Sequence, residues 1–341
     1  MVVAGIKKLA GAAVTIFGAS IISFVLLRIL PGDPARLIAG PLAPASAVEA
    51  VYRQLGLDQP IHIQYYRYIS AFVRGDWGFS FSSGTPVREI ISTRLPATIE
   101  LALYAFVIAI TGAILLALLA TYRRQPALDR IVRSLSSFGQ GVPSFWFALL
   151  SLMLFFEFLG ILPGPDGRLD PRSLPPLHVT GLFTVDALLS GRADLFWEAL
   201  TYLILPTVSL ALPPFAFLVR LLRANLLEVS REPFILVVRS KGISRWVTFL
   251  NHALPNAFLP TLTASGLVLA ELLTGSVLIE KIFSWPGVGS LVVDSILRQD
   301  YAVAQAFFLL SATAYVVVNM AIDFLYGAVD PRTRVAQAES A

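Results

Sequence analysis

Among the acidic side chains in or at the edge of otherwise apolar runs, Glu271 and Asp323 call for an explanation. A charge at bilayer depth is expensive and usually faces a water-filled path or a partner. Glu271 shares a helical face with Thr274 and Gly275, so it either lines a cavity that favours a cationic group or sits protonated against a neighbouring helix. Asp323 lies close to Arg332 and Arg334, where a boundary ion pair is expected. Most other chemistries are excluded by what is missing. With no cysteine there can be no disulfide, thiolate zinc site, iron–sulfur cluster or thiol nucleophile. His62, His178, His252 and all the lysines lie outside the apolar runs, so no base is at hand for an intramembrane serine nucleophile, and no His or Cys cluster speaks for a metal. There is no Gly-Lys dipeptide, hence no phosphate-binding loop of the GxxxxGK[ST] kind.

The elements that must position these groups are membrane helices. The chain has 341 residues, 56% hydrophobic and only 14% charged, with a mean hydropathy of +0.73. About 25% charged is usual in soluble domains, so the bilayer is the expected solvent. Six runs are apolar enough to cross it: Leu9–Leu30, Leu101–Ala120, Val142–Leu162, Leu200–Val219, Ala257–Ile279 and Ala302–Ile322. The first is too long for a signal-peptide core and is read as a retained anchor. Lys and Arg concentrate beside alternate connections: Lys7 and Lys8, Arg123 to Arg133, Arg220 to Arg245, and Arg332 with Arg334. The positive-inside rule puts both termini and the fourth–fifth connection in the cytoplasm. This accounts for the net charge of +4 without nucleic acid. Pro31–Glu100 then lies outside as a folded cap, and Pro163–Glu198 as an irregular loop rich in Pro, Gly and Asp.

One connection is far longer than a turn requires. Leu227–Asn256 is polar, basic and helix-forming between two apolar runs. Pro233 suits a first helical turn, Arg239 and Lys241 suit the last, and Gly242 supplies a left-handed stop. Ser244 is an N-cap for a second helix, Arg245–Leu254, ended by Pro255. Phe234, Leu236 and Val237 give the first helix apolar contacts, and Trp246, Phe249 and Leu250 the second. An amphipathic hairpin on the membrane surface and a docking element fit this composition equally.

The segment resembles the cytoplasmic loop of ABC-importer permeases, patterned Glu-Ala-Ala, three residues, Gly, nine residues, Ile-x-Leu-Pro. Gly242 takes the glycine position, and His252, Ala253, Leu254 and Pro255 follow nine residues on. Leu236, Val237 and Val238 replace Glu-Ala-Ala, while Arg239, Lys241 and Gly242 match the Arg-x-Lys-Gly of the peptide/nickel branch. LRILPGDPA (Leu27–Ala35), LGLDQPIHIQYYRY, RGDWGFS, RLPATIELAL (Arg94–Leu103), EKIFSWPGVG (Glu280–Gly289) and DFLYGAVDPRTR (Asp323–Arg334) follow in that branch's order. The chain is similar to the B-type permeases of dipeptide/oligopeptide importers.

The resemblance implies an all-α type I ABC-importer permease fold with six transmembrane helices in a bacterial inner membrane. Its parts are a first helix (1–30), an extracytoplasmic cap (31–96), a five-helix core (97–330) carrying a coupling loop (225–256), and a tail (331–341). It also implies a second homologous permease, two ATPase subunits that hold the ATP and Mg, and an extracytoplasmic substrate-binding protein. No cofactor is expected in this chain, which is not itself an enzyme. Phe234, Leu236, Val237, Val238, Arg239, Ser240, Lys241, Gly242, Leu254 and Pro255 are the expected ATPase contact. Glu271, Thr274 and Gly275 are the expected path lining from the cost of a charge at depth. There Glu271 would favour a peptide amino terminus, although related permeases generally carry a small or uncharged residue at that position. Glu280, Trp285, Pro286 and Gly287 are the expected outer mouth. Dipeptides, longer peptides, glutathione-like thiols and nickel complexes all stay open as cargo within such a family, with peptide the first choice because no His or Cys cluster speaks for a metal. A self-contained secondary transporter is the rival, but it should show internal repeats and more buried ionisable groups, and it leaves the long insert without a task.

Overall fold

The computed structural model describes residues 2–29, 34–40, 42–123, 125–274 and 277–329. Helix α1 (Val2–Ile29) is followed by α2 (Pro34–Ala39), α3 (Ala45–Gln54), α4 (Ile61–Val73) and a short antiparallel pair, β1 (Phe79–Ser80) with β2 (Thr85–Pro86). Two 37-residue helices, α5 (Val87–Arg123) and α9 (Ala193–Val229), then form the principal contact of the molecule. At 1.5 Å per residue each is about 55 Å long, enough to cross a bilayer and project beyond it. Ala97, Leu101, Ala105, Ala109, Ala113 and Ala117 of α5 recur every fourth residue and are all buried. That spacing makes one face, and its mostly small side chains let helices approach closely where lipid offers no hydrophobic drive.

Between them, α6 (Pro126–Gly141) and α7 (Ser144–Ser151), the latter extended by a wider π-helical turn (Leu152–Phe158), meet at a bend of 102°. Pro143 holds Val142 extended (φ −94°, ψ 123°), which breaks the helix there. Arg130 and Arg133, expected in a connecting loop, therefore stand on α6, where Asp129 pairs with Arg133 at 2.9 Å and with Arg223 of α9. Helix α8 (Phe183–Leu189) precedes α9. After α9 come α10 (Pro233–Ser240), α11 (Arg245–Thr248), α12 (Leu254–Leu273), α13 (Val277–Ile282), α14 (Val288–Leu297) and α15 (Tyr301–Val329).

Helices coincide with every expected span. Among the described residues, four helices are long and apolar enough to cross a membrane: α5, α9, the run Arg245–Leu273 and Tyr301–Ile322 of α15. The bent α6–α7 pair makes a fifth if counted as one span, and the described apolar part of α1, Leu9–Val25, is shorter. Several expected boundaries move, including that of the third span, whose helical part runs from Ser144 to Phe158 rather than over Val142–Leu162. Helix α5 starts at Val87, within the expected cap, because Val87 and Ile91 bury against Val288, Val292, Val303 and Phe307 and this packing carries α5 through Pro96. The fifth span stops at Leu273 instead of Ile279, and α13 starts afresh at Val277. The second helix of the insert does not end before Pro255: α11 runs through a wider turn, Phe249–Ala253, into α12, where Pro255 occupies the first turn and its missing N–H costs nothing. The tail and the side chain of Asp323 lie outside the described residues.

The cap is tied to the helices at one end of the bundle. Ser20 of α1 and Tyr65 of α4 share a hydrogen bond of 2.6 Å, Tyr68 stacks on Phe24 and Phe72 on Trp77. Asp300, just before α15, accepts from the Ser80 hydroxyl and from that of Ser82 at 2.7 Å. The insert closes the opposite end, where Ile235, Phe249 and Ala253 pack with Ala117, Leu222, Leu226 and Ala257.

Candidate functional site

At the insert end, α10 stands as a finger held by one side chain. Ile235 is buried in the cluster with Leu222, Leu226 and Phe249, while its neighbours Phe234, Leu236 and Val237 are exposed, Leu236 by 62%. An apolar residue exposed on each side of the anchor leaves the finger with an unpartnered apolar face. Arg239, Ser240 and Lys241 are also exposed, Val238 is half-buried, and neither cation forms an ion pair among the described residues. Gly242 ends the finger at φ +77°, a conformation that costs a residue with a side chain about 1 kcal/mol or more. The Ser244 hydroxyl accepts from the Val247 N–H and caps α11. Arg245 then donates to the Tyr122 carbonyl at 2.5 Å and lies over the Tyr122 ring, against which Trp246 packs edge-on. Of the remaining insert residues, Leu254 is half-buried beside the same cluster and Pro255 is exposed. The finger is thus braced against α5 and α9, the two helices that traverse the molecule.

Beside the α6–α7 bend lies a cavity of about 720 Å³, lined from four helices. Gln140 and Ser144 flank the α6–α7 bend, Pro213 and Pro214 come from α9, and Glu271 comes from α12. Glu271 is exposed. Its carbonyl accepts from the Thr274 hydroxyl at 2.8 Å. Gly275, expected beside them, lies outside the described residues. Helix α9 continues through Pro206, Pro213 and Pro214, leaving carbonyls without their usual N–H partners, an arrangement found in membranes where backbone borders a cavity or another helix. Gly266 of α12, by contrast, sits directly against Ile322 of α15, so it serves close packing.

The cap end contains the least foreseen arrangement. Glu280 is fully buried, accepting from the Ser290 N–H at 2.6 Å and the Thr98 hydroxyl at 2.7 Å. Burial pushes its carboxyl above the usual range, against the opposing pull of those hydrogen bonds. A Cβ at Gly287 would overlap that carboxylate, which is why the turn needs glycine there. Trp285, also buried, donates from Nε1 to the Ala97 carbonyl at 2.8 Å, and Pro286 is half-buried. Glu280 and Trp285 are therefore buried, and neither side chain is exposed at the expected outer mouth.

Next to them Glu100 of α5 and Arg168 form an ion pair of 2.5 Å, both nearly inaccessible. Arg168 also donates to the Gly181 carbonyl and lies 3.5 Å over the Phe183 ring, while Glu100 accepts twice from Thr184. Burial lowers the guanidinium's pKa and the Glu100 carboxylate opposes that. Asp186 accepts from Val179, Thr180 and Gly181 of the same loop. Burial pushes its carboxyl up, but these hydrogen bonds outweigh it and hold it below the usual value. Arg168 and Asp186 carry no sequence signal: they sit in a Pro- and Gly-rich stretch that reads as irregular, and Arg168 lies 68 positions from its partner.

Comparisons with known proteins agree with this architecture. Residues 109–335 match the family described as the binding-protein-dependent transport system inner membrane component, and residues 1–102 match its N-terminal companion. The probable D,D-dipeptide transport system permease protein of Escherichia coli (strain K12) is 42% identical over 322 residues, covering 94% of each chain. The di/tripeptide transport system permease protein of Pseudomonas aeruginosa (strain UCBPP-PA14) is 40% identical over 94% of this chain and 95% of its own length. The glutathione transport system permease protein of E. coli (strain K12) is 36% identical over 96% and 98%. The chain belongs to the binding-protein-dependent transport system inner membrane components, the permease subunits of ABC importers.

Proposed function

We propose that this permease forms half of a translocation pathway for di- and oligopeptides, and that α10 couples it to ATP hydrolysis on separate subunits. The peptide cargo is supported by relatives named for dipeptide, di/tripeptide and glutathione transport. The complete importer would hold a second homologous permease, two ATPase subunits carrying ATP and Mg, and a substrate-binding protein at the cap end. The concentration of Lys and Arg beside the insert supports a cytoplasmic location for the insert and both termini.

The observation that carries the coupling role is the finger itself. Ile235 fixes α10 to the bundle while Phe234, Leu236 and Val237 remain exposed beside two unpaired cations. A helix lying in headgroups would not need a buried anchor, whereas a helix that transmits force does. Its exposed face would fill a groove on the ATPase, with Arg239 and Lys241 meeting carboxylates or carbonyls at the rim. Movement of α10 then reaches α5 and α9 through Ile235, Arg245 and Trp246.

The test is Leu236→Asp. It alters an exposed position, so folding should change by no more than about 0.5 kcal/mol. Copurification with the ATPases and peptide-stimulated ATP turnover should both be lost. Retention of both, with the melting temperature unchanged, refutes the coupling role.

A further inference from the structure

We propose that the cavity beside the α6–α7 bend is a recognition site for the terminal ammonium of the transported peptide, with Glu271 as its counter-ion. This rests on the peptide-import reading above and assigns within it the group that selects cargo inside the membrane.

The chemistry of the lining points this way. Glu271 is the one ionisable residue among those bordering the cavity, and no described cation pairs with it. Leaving a carboxylate unpaired at bilayer depth is costly unless water or a cationic visitor reaches it. Gln140 adds an amide whose oxygen can accept, and α6 ends next to it at Gly141. Of the carbonyls in that last turn, Phe138 is satisfied by the Val142 N–H. The remaining end of α6 carries the partial negative charge of a helix C-terminus. One carboxylate and one amide border the same space, beside the end of α6.

A divalent cation needs about six oxygen ligands or several nitrogen and sulfur ligands, and no group of three or more His, Asp or Glu exists among the described residues. A primary ammonium needs three acceptors and one balancing charge, which the site offers. Apart from the Ser144 hydroxyl, the rest of the lining, including Leu210, Phe217, Leu267 and Val268, is apolar and makes little demand on side-chain identity. The cavity's 720 Å³ lies within the range of about 300–1,000 Å³ usual for ligand sites. Such a site holds the feature common to all free peptides and ignores what varies between them.

The test uses the complete importer with its binding protein in proteoliposomes, measuring labelled alanyl-alanine transported per ATP hydrolysed. Glu271→Gln should lower that ratio about tenfold, the equivalent of one moderately strong ion pair, and Glu271→Asp should restore most of it. An unchanged ratio in Glu271→Gln overturns the site. So does an equal loss in both variants with poor recovery of the assembled complex, because the residue would then be pairing with the second permease. If the wild-type importer takes up no alanyl-alanine or any other short peptide, the peptide reading itself falls, and the ammonium site with it.

Discussion

Replacing Arg168 with alanine removes one half of a buried ion pair and leaves the other half in place. Glu100 is 2% exposed, so its Oε2 would lose the guanidinium without gaining water. Its other oxygen would keep the two Thr184 hydrogen bonds, while the Gly181 carbonyl would lose its donor and the Phe183 ring its cation. Breaking such a pair from one side costs about 3–5 kcal/mol, more than the pair contributes when intact, because a buried charge is left uncompensated. The double variant Arg168→Met with Glu100→Leu removes both charges at similar volume, so it should be more stable than Arg168→Ala alone. Arg168→Lys keeps the charge but not the planar group that stacks on Phe183 while reaching two acceptors, and should fall between them. Thermal unfolding of detergent-purified protein followed by tryptophan fluorescence orders the variants. Limited proteolysis across residues 163–192 reports whether the loss is local. If Arg168→Ala lies within about 1 kcal/mol of the wild type, or the double variant is no better than the single, the claim that this pair holds the loop onto α5 is wrong.

Two further outcomes follow from the cap end. Gly287→Ala places a methyl group on the Glu280 carboxylate, so it should destabilise by about 1–3 kcal/mol as overpacking does; an unaltered melting temperature would contradict the packing described. Asp186 has a carboxyl held below its ordinary value of 3.8, so its contribution is complete above that pH and is lost as pH falls through the lower folded value. Hydrogen exchange at Val179, Thr180 and Gly181 should therefore stay slow near pH 4 and quicken below it. In Asp186→Asn the same amides should exchange faster throughout, without that acid step.

Much of the architecture could be read before any coordinates, because bilayer and helix constraints act locally. An apolar run has few options in lipid other than a helix, so the expected spans have helices on them. Pro233, Gly242 and Ser244 act on their own backbone, so the start and stop of α10 and the cap of α11 were legible from residue types alone. Pro255, expected to end a helix, stands instead in the first turn of α12 where it is harmless, and packing of Val87 and Ile91 carries α5 through Pro96.

What the chain order by itself determined is therefore the set of helices, their likeness to a permease family and the existence of a finger. Which face of that finger is free was decided by Ile235 finding Leu222 and Leu226. The cavity exists because residues from positions 140, 213 and 271 were brought together across three helices. The buried pair of Glu100 and Arg168 arose the same way. Backbone preference and hydropathy are properties of neighbours in sequence, whereas burial, ion pairing and cavity lining depend on distances between remote residues, which only packing sets.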